Sequence, residues 1–131
     1  MKKNLKEQEY IKASLKSWQV EQSKPFTKIL FKSIAHWNLL LLIAESTYFD
    51  KNYSFEKFCT LISSTISSRA TIQRILNELL ELGYIEKHLH HQDHRIKLYI
   101  LSAIGRDLFS DFVNSETEIY APYHKNIKKD N

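Results

Sequence analysis

The stretch SSRATIQRILNELLELGYIEKHLHHQDHRIKLYILS, residues 67–102, decides the predicted fold. Its first half carries apolar side chains at the spacing of one helix face, namely Ile72, Ile75, Leu76, Leu79 and Leu80. This pattern stops at Gly83, and glycine commonly ends helices because it adopts a positive φ without strain. The spacing therefore predicts an amphipathic helix over residues 67–82.

Two strand-like runs follow, over residues 84–89 and 95–101, and the polar segment HHQDH separates them. In the second run, apolar and polar side chains alternate with the period of two that a half-buried strand requires. The segment 101–105, LSAIG, then begins another helix. A helix, a hairpin and a helix in this order, with basic residues at the exposed points, predict a winged helix-turn-helix.

Helices are also predicted before residue 67, because the whole chain contains only two Gly and two Pro. An amphipathic helix is predicted over about residues 5–21 from the spacing of Ile11, Leu15 and Trp18. The fold class is therefore mainly α, with a small β-hairpin as the wing.

The apolar pattern that begins at Pro25 and ends at Tyr48 predicts one long helix, or two helices divided near Ser33. A short helix with one buried face follows, and Ser54 is expected to cap it by accepting from a free backbone N–H. A polar turn over residues 63–67 then leads into the amphipathic helix.

The last helix is predicted to begin after Ser102 and to carry two apolar stripes about 90° apart. The stripe expected to cover the helix's own domain contains Ile104, Leu108, Phe112 and Ile119. The second stripe requires a partner and contains Phe109, Val113 and Tyr120. Pro122 is expected to end this helix, because proline cannot donate a helical hydrogen bond.

Composition limits the class of protein. A chain of 131 residues with 43% hydrophobic and 26% charged residues indicates one globular domain. The formal net charge of +4 is compatible with nucleic acid. The single cysteine, Cys59, excludes an internal disulfide and suits a reducing compartment. No export signal is visible, and the apolar run 39–44 is far shorter than the ~20 residues of a membrane span. A soluble, cytoplasmic protein without a membrane partner is expected.

The polar face of the 67–82 helix suits contact with DNA. Gln73 and Asn77 can bond adenine edges in the major groove, and Arg74 can pair with guanine. Contacts to phosphate are expected at the start and flanks of the helix, from Ser67, Ser68, Arg69 and Thr71. Two acidic residues in the second half, Glu78 and Glu81, indicate that only the first half enters the groove.

Four segments of the chain resemble the MarR family of bacterial transcription regulators. They are SRATI at 68–72, LLELGYIE at 79–86, DHR at 93–95 and LSAIG at 101–105, and the resemblance covers about residues 35–113. The family has an Asp-x-Arg wing and a Leu-Thr-x-x-Gly helix start. This chain departs from it with Ser102 in place of Thr, with serines where a turn glycine is frequent, and with few residues after Pro122.

The resemblance implies that Arg95 enters the minor groove from the wing and that Asp93 braces the wing. It also implies a homodimer held by the terminal helices, with a dimer interface containing Ile11, Leu15, Trp18, Phe109, Val113 and Tyr120. The predicted parts are then a dimerisation helix over residues 1–24, a winged helix-turn-helix DNA-binding domain over 25–102, and a dimerisation helix with a basic tail over 103–131. A small-molecule effector is implied by the resemblance alone.

Two further groups of residues suggest other chemistry. A histidine-rich wing, with His88, His90, His91 and His94, can bind a metal ion. Proximity to phosphates explains these side chains without a metal, and we therefore assign DNA contacts to His94 and Lys97. Cys59 can act as a redox switch, but a buried cysteine is more often an inert apolar residue. No catalytic constellation, cofactor motif or metal site is predicted.

The sequence thus predicts a dimeric, sequence-specific regulator that binds double-stranded DNA, acting as a repressor by promoter occlusion and not as an enzyme. Two alternatives share the fold. One is a winged helix that binds another protein, which the acidic residues Glu78, Glu81 and Glu86 favour. The other is a DNA-binding protein of replication or plasmid maintenance.

Overall fold

The computed structural model describes residues 4–130, and side chains as far as residue 128. Over this range the chain forms six helices and one hairpin, in the order α1 (Leu5–Glu21), α2 (Pro25–Leu30), α3 (Ile34–Tyr48), α4 (Phe55–Leu61), α5 (Arg69–Glu81), β1 (Ile85–Leu89), β2 (Lys97–Leu101) and α6 (Ala103–Asp130). The predicted fold class is confirmed. None of the helices within the described range has both the length and the apolar character needed to cross a membrane.

Two compact units make up the chain. One consists of Met1–Lys28 and Leu108–Asn131, and the other is the continuous segment Ile29–Asp107. The second unit contains α3, α4, α5 and the hairpin, which are the elements of the predicted winged helix. Residues 1–3 of the predicted N-terminal part, and residue 131 of the predicted tail, lie outside the described range.

Two helices rather than one occupy residues 25–48, and they are divided at Ser33. The Ser33 side chain caps α3 by accepting from the His36 N–H at 3.1 Å. Ser54 caps α4 in the same way, accepting from the Lys57 N–H at 3.2 Å. Both serines have extended backbones, as helix-capping residues do.

The core of the continuous unit lies between α3, α4, α5 and the hairpin. Its fully buried side chains come from each of these elements and include Leu39, Ile43, Phe58, Ile72, Ile75, Leu76, Leu79 and Leu101. The apolar face predicted for the 67–82 helix is therefore the buried face of α5. Burying these side chains fixes which face of α5 points outward.

The hairpin is antiparallel, with Ile85 opposite Leu101 and Leu89 opposite Lys97. Two adjacent residues at the end of α3 hold its second strand. The Ser46 hydroxyl donates to the Tyr99 carbonyl at 2.9 Å, and the Thr47 hydroxyl accepts from the Leu101 N–H at 2.9 Å. The wing is thus attached to the core by hydrogen bonds between its backbone and side chains of α3, as well as by apolar packing.

Helix α6 corrects one prediction, because it continues through Pro122 to Asp130 instead of ending there. A proline inside a helix costs about 3 kcal/mol. Packing on both sides of it opposes this cost, since the Tyr120 and Tyr123 rings lie 6.0 and 5.7 Å from the Tyr10 ring of α1. The residues predicted as a basic tail are therefore helical as far as Asp130.

Ile104 corrects a second prediction. It was assigned to the apolar stripe that covers its own domain, but its side chain is 60% exposed. Phe112 and Ile119 from the same stripe are buried as expected. Ile104 lies in the first turn of α6, three residues after the end of β2.

Candidate nucleic-acid interface

The N-terminus of α5 is capped by Ser68, whose side chain accepts from the Thr71 N–H at 3.1 Å. Its hydroxyl also donates to the Thr71 hydroxyl at 3.0 Å. Ser67, in contrast, is buried, and its N–H and hydroxyl both donate to backbone carbonyls. Ser68 is therefore the exposed serine of the pair at the helix start.

The outward face of α5 presents Arg74 and Asn77, which are both exposed. Gln73 is half-buried, and its amide donates to the Asn77 carbonyl oxygen at 3.1 Å. Gln73 also bonds the Tyr99 hydroxyl, which partly offsets the rise in the Tyr99 pKa that burial causes. Gln73 and Asn77 therefore bond each other on this face, and Asn77 is the more exposed of the two.

The Glu78 carboxylate is bonded by two side chains from outside α5. One carboxylate oxygen accepts from the Lys32 ammonium at 2.9 Å, and the other lies 2.8 Å from His36 Nε2. The hydrogen bond to Lys32 first, and that to His36 second, hold the Glu78 pKa below its usual value. Of the two glutamates expected to restrict entry into the groove, only Glu81 is exposed.

The Glu78 contacts extend to the start of α3, because Ser33 Oγ lies 2.7 Å from His36 Nδ1. His36 is buried between Ser33 and Glu78. This link between α3 and α5 is not predicted from the sequence. No local signal indicates it, since 42 residues separate His36 from Glu78.

Arg69, the first residue of α5, is bound by Glu56 of α4. Its NH1 donates to one carboxylate oxygen at 3.0 Å, and its NH2 bonds the other. The guanidinium also lies 5.1 Å from the centre of the Phe55 ring. The bond to Arg69 lowers the Glu56 pKa, and the same bond raises the Arg69 pKa.

The wing tip is shaped by side chains that bond its own backbone. His90 Nδ1 accepts from the N–H groups of Gln92 and Asp93 at 3.1 and 3.2 Å. The Asp93 carboxylate then accepts from the Arg95 N–H, Nε and NH2, each at 3.0 Å. These bonds lower the Asp93 pKa. The Arg95 side chain is nevertheless 90% exposed, so it projects from a braced turn.

A cavity of about 370 Å³ lies between the start of α4, the middle of α5 and the wing. Its lining includes Gln73 from α5 together with Arg95 and Lys97 from the wing. The structure therefore gathers residues of both predicted DNA-contacting elements around one concave surface. Thr71 is half-buried, while His94 is exposed at the wing tip.

The wing histidines do not converge on one point. His90 and His91 stack with ring centres 5.0 Å apart, and His88 bonds Glu86 at 2.9 Å. Within the described part of the chain, no group of three or more His, Cys, Asp or Glu residues could hold a metal ion. Cys59 is partly buried, and burial is the main cause of its raised pKa, which disfavours the reactive thiolate.

The segment LSAIG holds the hairpin against the start of α6. The Ser102 hydroxyl donates to the Gly83 carbonyl at 2.6 Å and accepts from the Gly105 N–H at 3.0 Å. Gly105 approaches so closely that an added Cβ would lie 2.0 Å from the Tyr84 carbonyl oxygen. The serine and the glycine of this motif thus have separate structural roles.

The unit formed by the chain ends carries the residues assigned to a dimer interface. Ile11, Leu15 and Trp18 are 54–59% exposed, while α1 buries Ala13, Ser17 and Glu21. In α6, Val113 is 40% exposed and Phe109 is half-buried. Tyr120 already bonds Ser14 within the same chain at 2.9 Å. The apolar side of α1 is therefore left open within the chain.

Several solved structures are similar to this chain, and three of them illustrate the likeness. MarR shares 18% identity, covering 89% of this chain and 83% of that one, with a TM-score of 0.53. Bordetella bronchiseptica BpsR, studied for regulation of DNA binding by 6-hydroxynicotinic acid, shares 18% identity. The match covers 94% of this chain and 79% of BpsR, with a TM-score of 0.51. NadR in complex with 4-hydroxyphenylacetate shares 19% identity. The match covers 90% of this chain and 77% of NadR, with a TM-score of 0.55.

No protein-family model matches the sequence, and no curated protein matches it. The structural likeness shows a winged helix-turn-helix protein. More particularly, the arrangement of helices and wing is that of MarR, so the fold expected from the sequence resemblance is confirmed.

Proposed function

We propose that the protein is a transcription regulator that binds specific sites on double-stranded DNA, and that it has no catalytic role. The observation that carries the proposal is the exposure of Arg74 and Asn77 on α5 and of Arg95 on the wing. Gln73 of α5 and Arg95 of the wing line one cavity. A recognition helix in the major groove and an arginine in a narrow minor groove would use these side chains directly. Phosphate contacts from Ser68, Thr71, His94 and Lys97 complete the proposed interface.

The proposed regulator is a homodimer that represses by occluding a promoter. The exposed apolar residues of α1 support a second copy as the partner, because removing such side chains from water lowers the free energy. Two recognition helices would then read half-sites about one helical turn apart. The structures of BpsR and NadR support an aromatic acid as effector.

The protein-interaction alternative loses part of its support. Glu78 and Glu86, two of the three acidic residues that favoured it, bond Lys32, His36 and His88 within the chain. Glu78 is thus paired with the Lys32 ammonium, whereas Glu86 stays exposed beside His88.

The proposal is tested by selecting bound sites from random DNA and measuring affinity for them at two salt concentrations. Binding through phosphates must weaken steeply as salt rises, by about tenfold to a thousandfold over a few-fold increase in salt. Enrichment of a two-fold symmetric site would support the dimer. Binding that is absent, or insensitive to salt, would exclude this function.

Arg74→Ala is expected to relax sequence preference. If Arg74 pairs with guanine, its loss lowers discrimination at one base pair by about 1–3 kcal/mol, with little change at other positions. The measurement is the affinity of wild type and variant for each single-base change in the selected site. Uniform weakening at every position would instead make Arg74 a phosphate contact.

Arg95→Ala is expected to weaken binding broadly. Its guanidinium is exposed on the braced wing, so removing it should lower affinity about tenfold and make the logarithmic salt slope shallower by about one. Arg106→Ala is a charge-matched control in the continuous unit, because Arg106 lies over the Tyr48 ring instead of on the wing. Equal effects of the two substitutions would argue against a wing contact.

A further inference from the structure

Arg69 lies at the N-terminus of α5, a position where a helix favours binding of a phosphate. It is the first residue of α5, near the free N–H groups and the positive end of the helix dipole. Yet both arms of its guanidinium already bond the Glu56 carboxylate. A phosphate that approaches Arg69 therefore also approaches a carboxylate of the same sign of charge.

We propose that Glu56 determines DNA affinity by acting as an internal competitor of the DNA backbone for Arg69. This inference rests on the proposed DNA-binding function. A carboxylate and a phosphate both bond a guanidinium through two oxygens, so a phosphate competes with Glu56 for the NH1 and NH2 groups of Arg69. Glu56 thus lowers the number of phosphates that the free protein can neutralise.

The opposite role, in which Glu56 holds Arg69 ready for DNA, is disfavoured by two observations. The side chains of Arg69 and Glu56 are 60% and 69% exposed, so water and salt screen the pair and it does not brace Arg69 rigidly. The Phe55 ring lies under the guanidinium and supports it independently of Glu56. Arg69 therefore keeps a defined position when Glu56 loses its charge.

The test is Glu56→Gln, with DNA affinity measured over a range of salt concentrations. Releasing Arg69 for one more phosphate should tighten binding roughly threefold to tenfold near 0.1 M salt and steepen the logarithmic salt slope by about one. Glu118→Gln makes the same change in net charge at an exposed position of α6 and should shift affinity less than about twofold. Weaker binding by Glu56→Gln would overturn the inference.

A double-mutant cycle separates competition from general repulsion. If Glu56 acts by holding Arg69, then Glu56→Gln should change affinity less than about twofold in a protein that already carries Arg69→Ala. An undiminished gain in that background would mean that the carboxylate repels DNA without involving Arg69. Absence of DNA binding by the wild type would overturn the proposed function itself. Binding by the wild type without a gain in Glu56→Gln would overturn only the role of Glu56.

Discussion

Gly105→Ala should lower the free energy of unfolding by about 3 kcal/mol or more, which is at or above the upper end of the usual cost of overpacking. Alanine normally stabilises a helix position relative to glycine by up to about 1 kcal/mol. Here the new Cβ would lie 2.0 Å from the Tyr84 carbonyl oxygen, and 3.0 Å from the carbonyl carbon. Backbone atoms cannot rotate away as a flexible side chain can, so α6 and the hairpin must separate. Urea and thermal unfolding measure the loss.

Gly83→Ala is the matched control. Gly83 has a φ of 78° and follows α5. Its N–H donates to the Leu80 carbonyl, and the N–H of Tyr84 donates to the Leu79 carbonyl. This is the Schellman pattern of a helix end. No atom lies within 4 Å of an added Cβ, so only the cost of the left-handed backbone remains, about 1–2 kcal/mol. Equal losses at the two glycines, or a more stable Gly105→Ala protein, would contradict the close approach at Gly105.

Ser46→Ala should have the second-largest effect, about 2–4 kcal/mol. The Ser46 hydroxyl is completely buried, accepts from the Tyr53 N–H at 2.7 Å and donates to the Tyr99 carbonyl at 2.9 Å. Removing it leaves two backbone groups without their partner, and each such group costs about 1–3 kcal/mol when buried. The loss is measured as a change in the free energy of unfolding.

The same substitution should disturb the wing, because Tyr99 belongs to its second strand. Amide NMR signals of Tyr53 and Tyr99 are expected to shift and to exchange faster with solvent. Ser64→Ala, at an exposed position before α5, is the control and should change stability by less than about 0.5 kcal/mol. A similar small change for Ser46→Ala would show that water replaces the lost hydroxyl.

Much of the continuous unit could be predicted because its signals are local. The apolar spacing of α5 and Gly83 predicted that helix and its end, and the alternation in residues 95–101 predicted the second strand. The Asp93–Arg95 contact, which only the resemblance to the MarR family implied, also spans just two residues. Such features depend on the geometry of neighbouring residues, which sequence spacing reports directly.

Contacts between distant elements could not be predicted in the same way. Arg69 was assigned to phosphate without its partner Glu56, which lies 13 residues earlier on another helix. Ser67 was assigned to the same surface as Ser68, but the turn before α5 buries it. The local rule for proline predicts a helix end at Pro122, because it does not include the aromatic packing of Tyr120 and Tyr123 on Tyr10.

Apolar periodicity was enough to predict the winged helix-turn-helix and the outward face of α5, because periodic apolar residues must be buried on one side. Which charged residues of α5 and the wing are paired depends, in contrast, on the packed structure. Glu78 is paired with Lys32 and His36, and Arg69 is paired with Glu56, while Arg95 remains exposed on its brace. Charge pairing depends on distances of a few ångströms between separate helices, and these distances exist only after the core has packed.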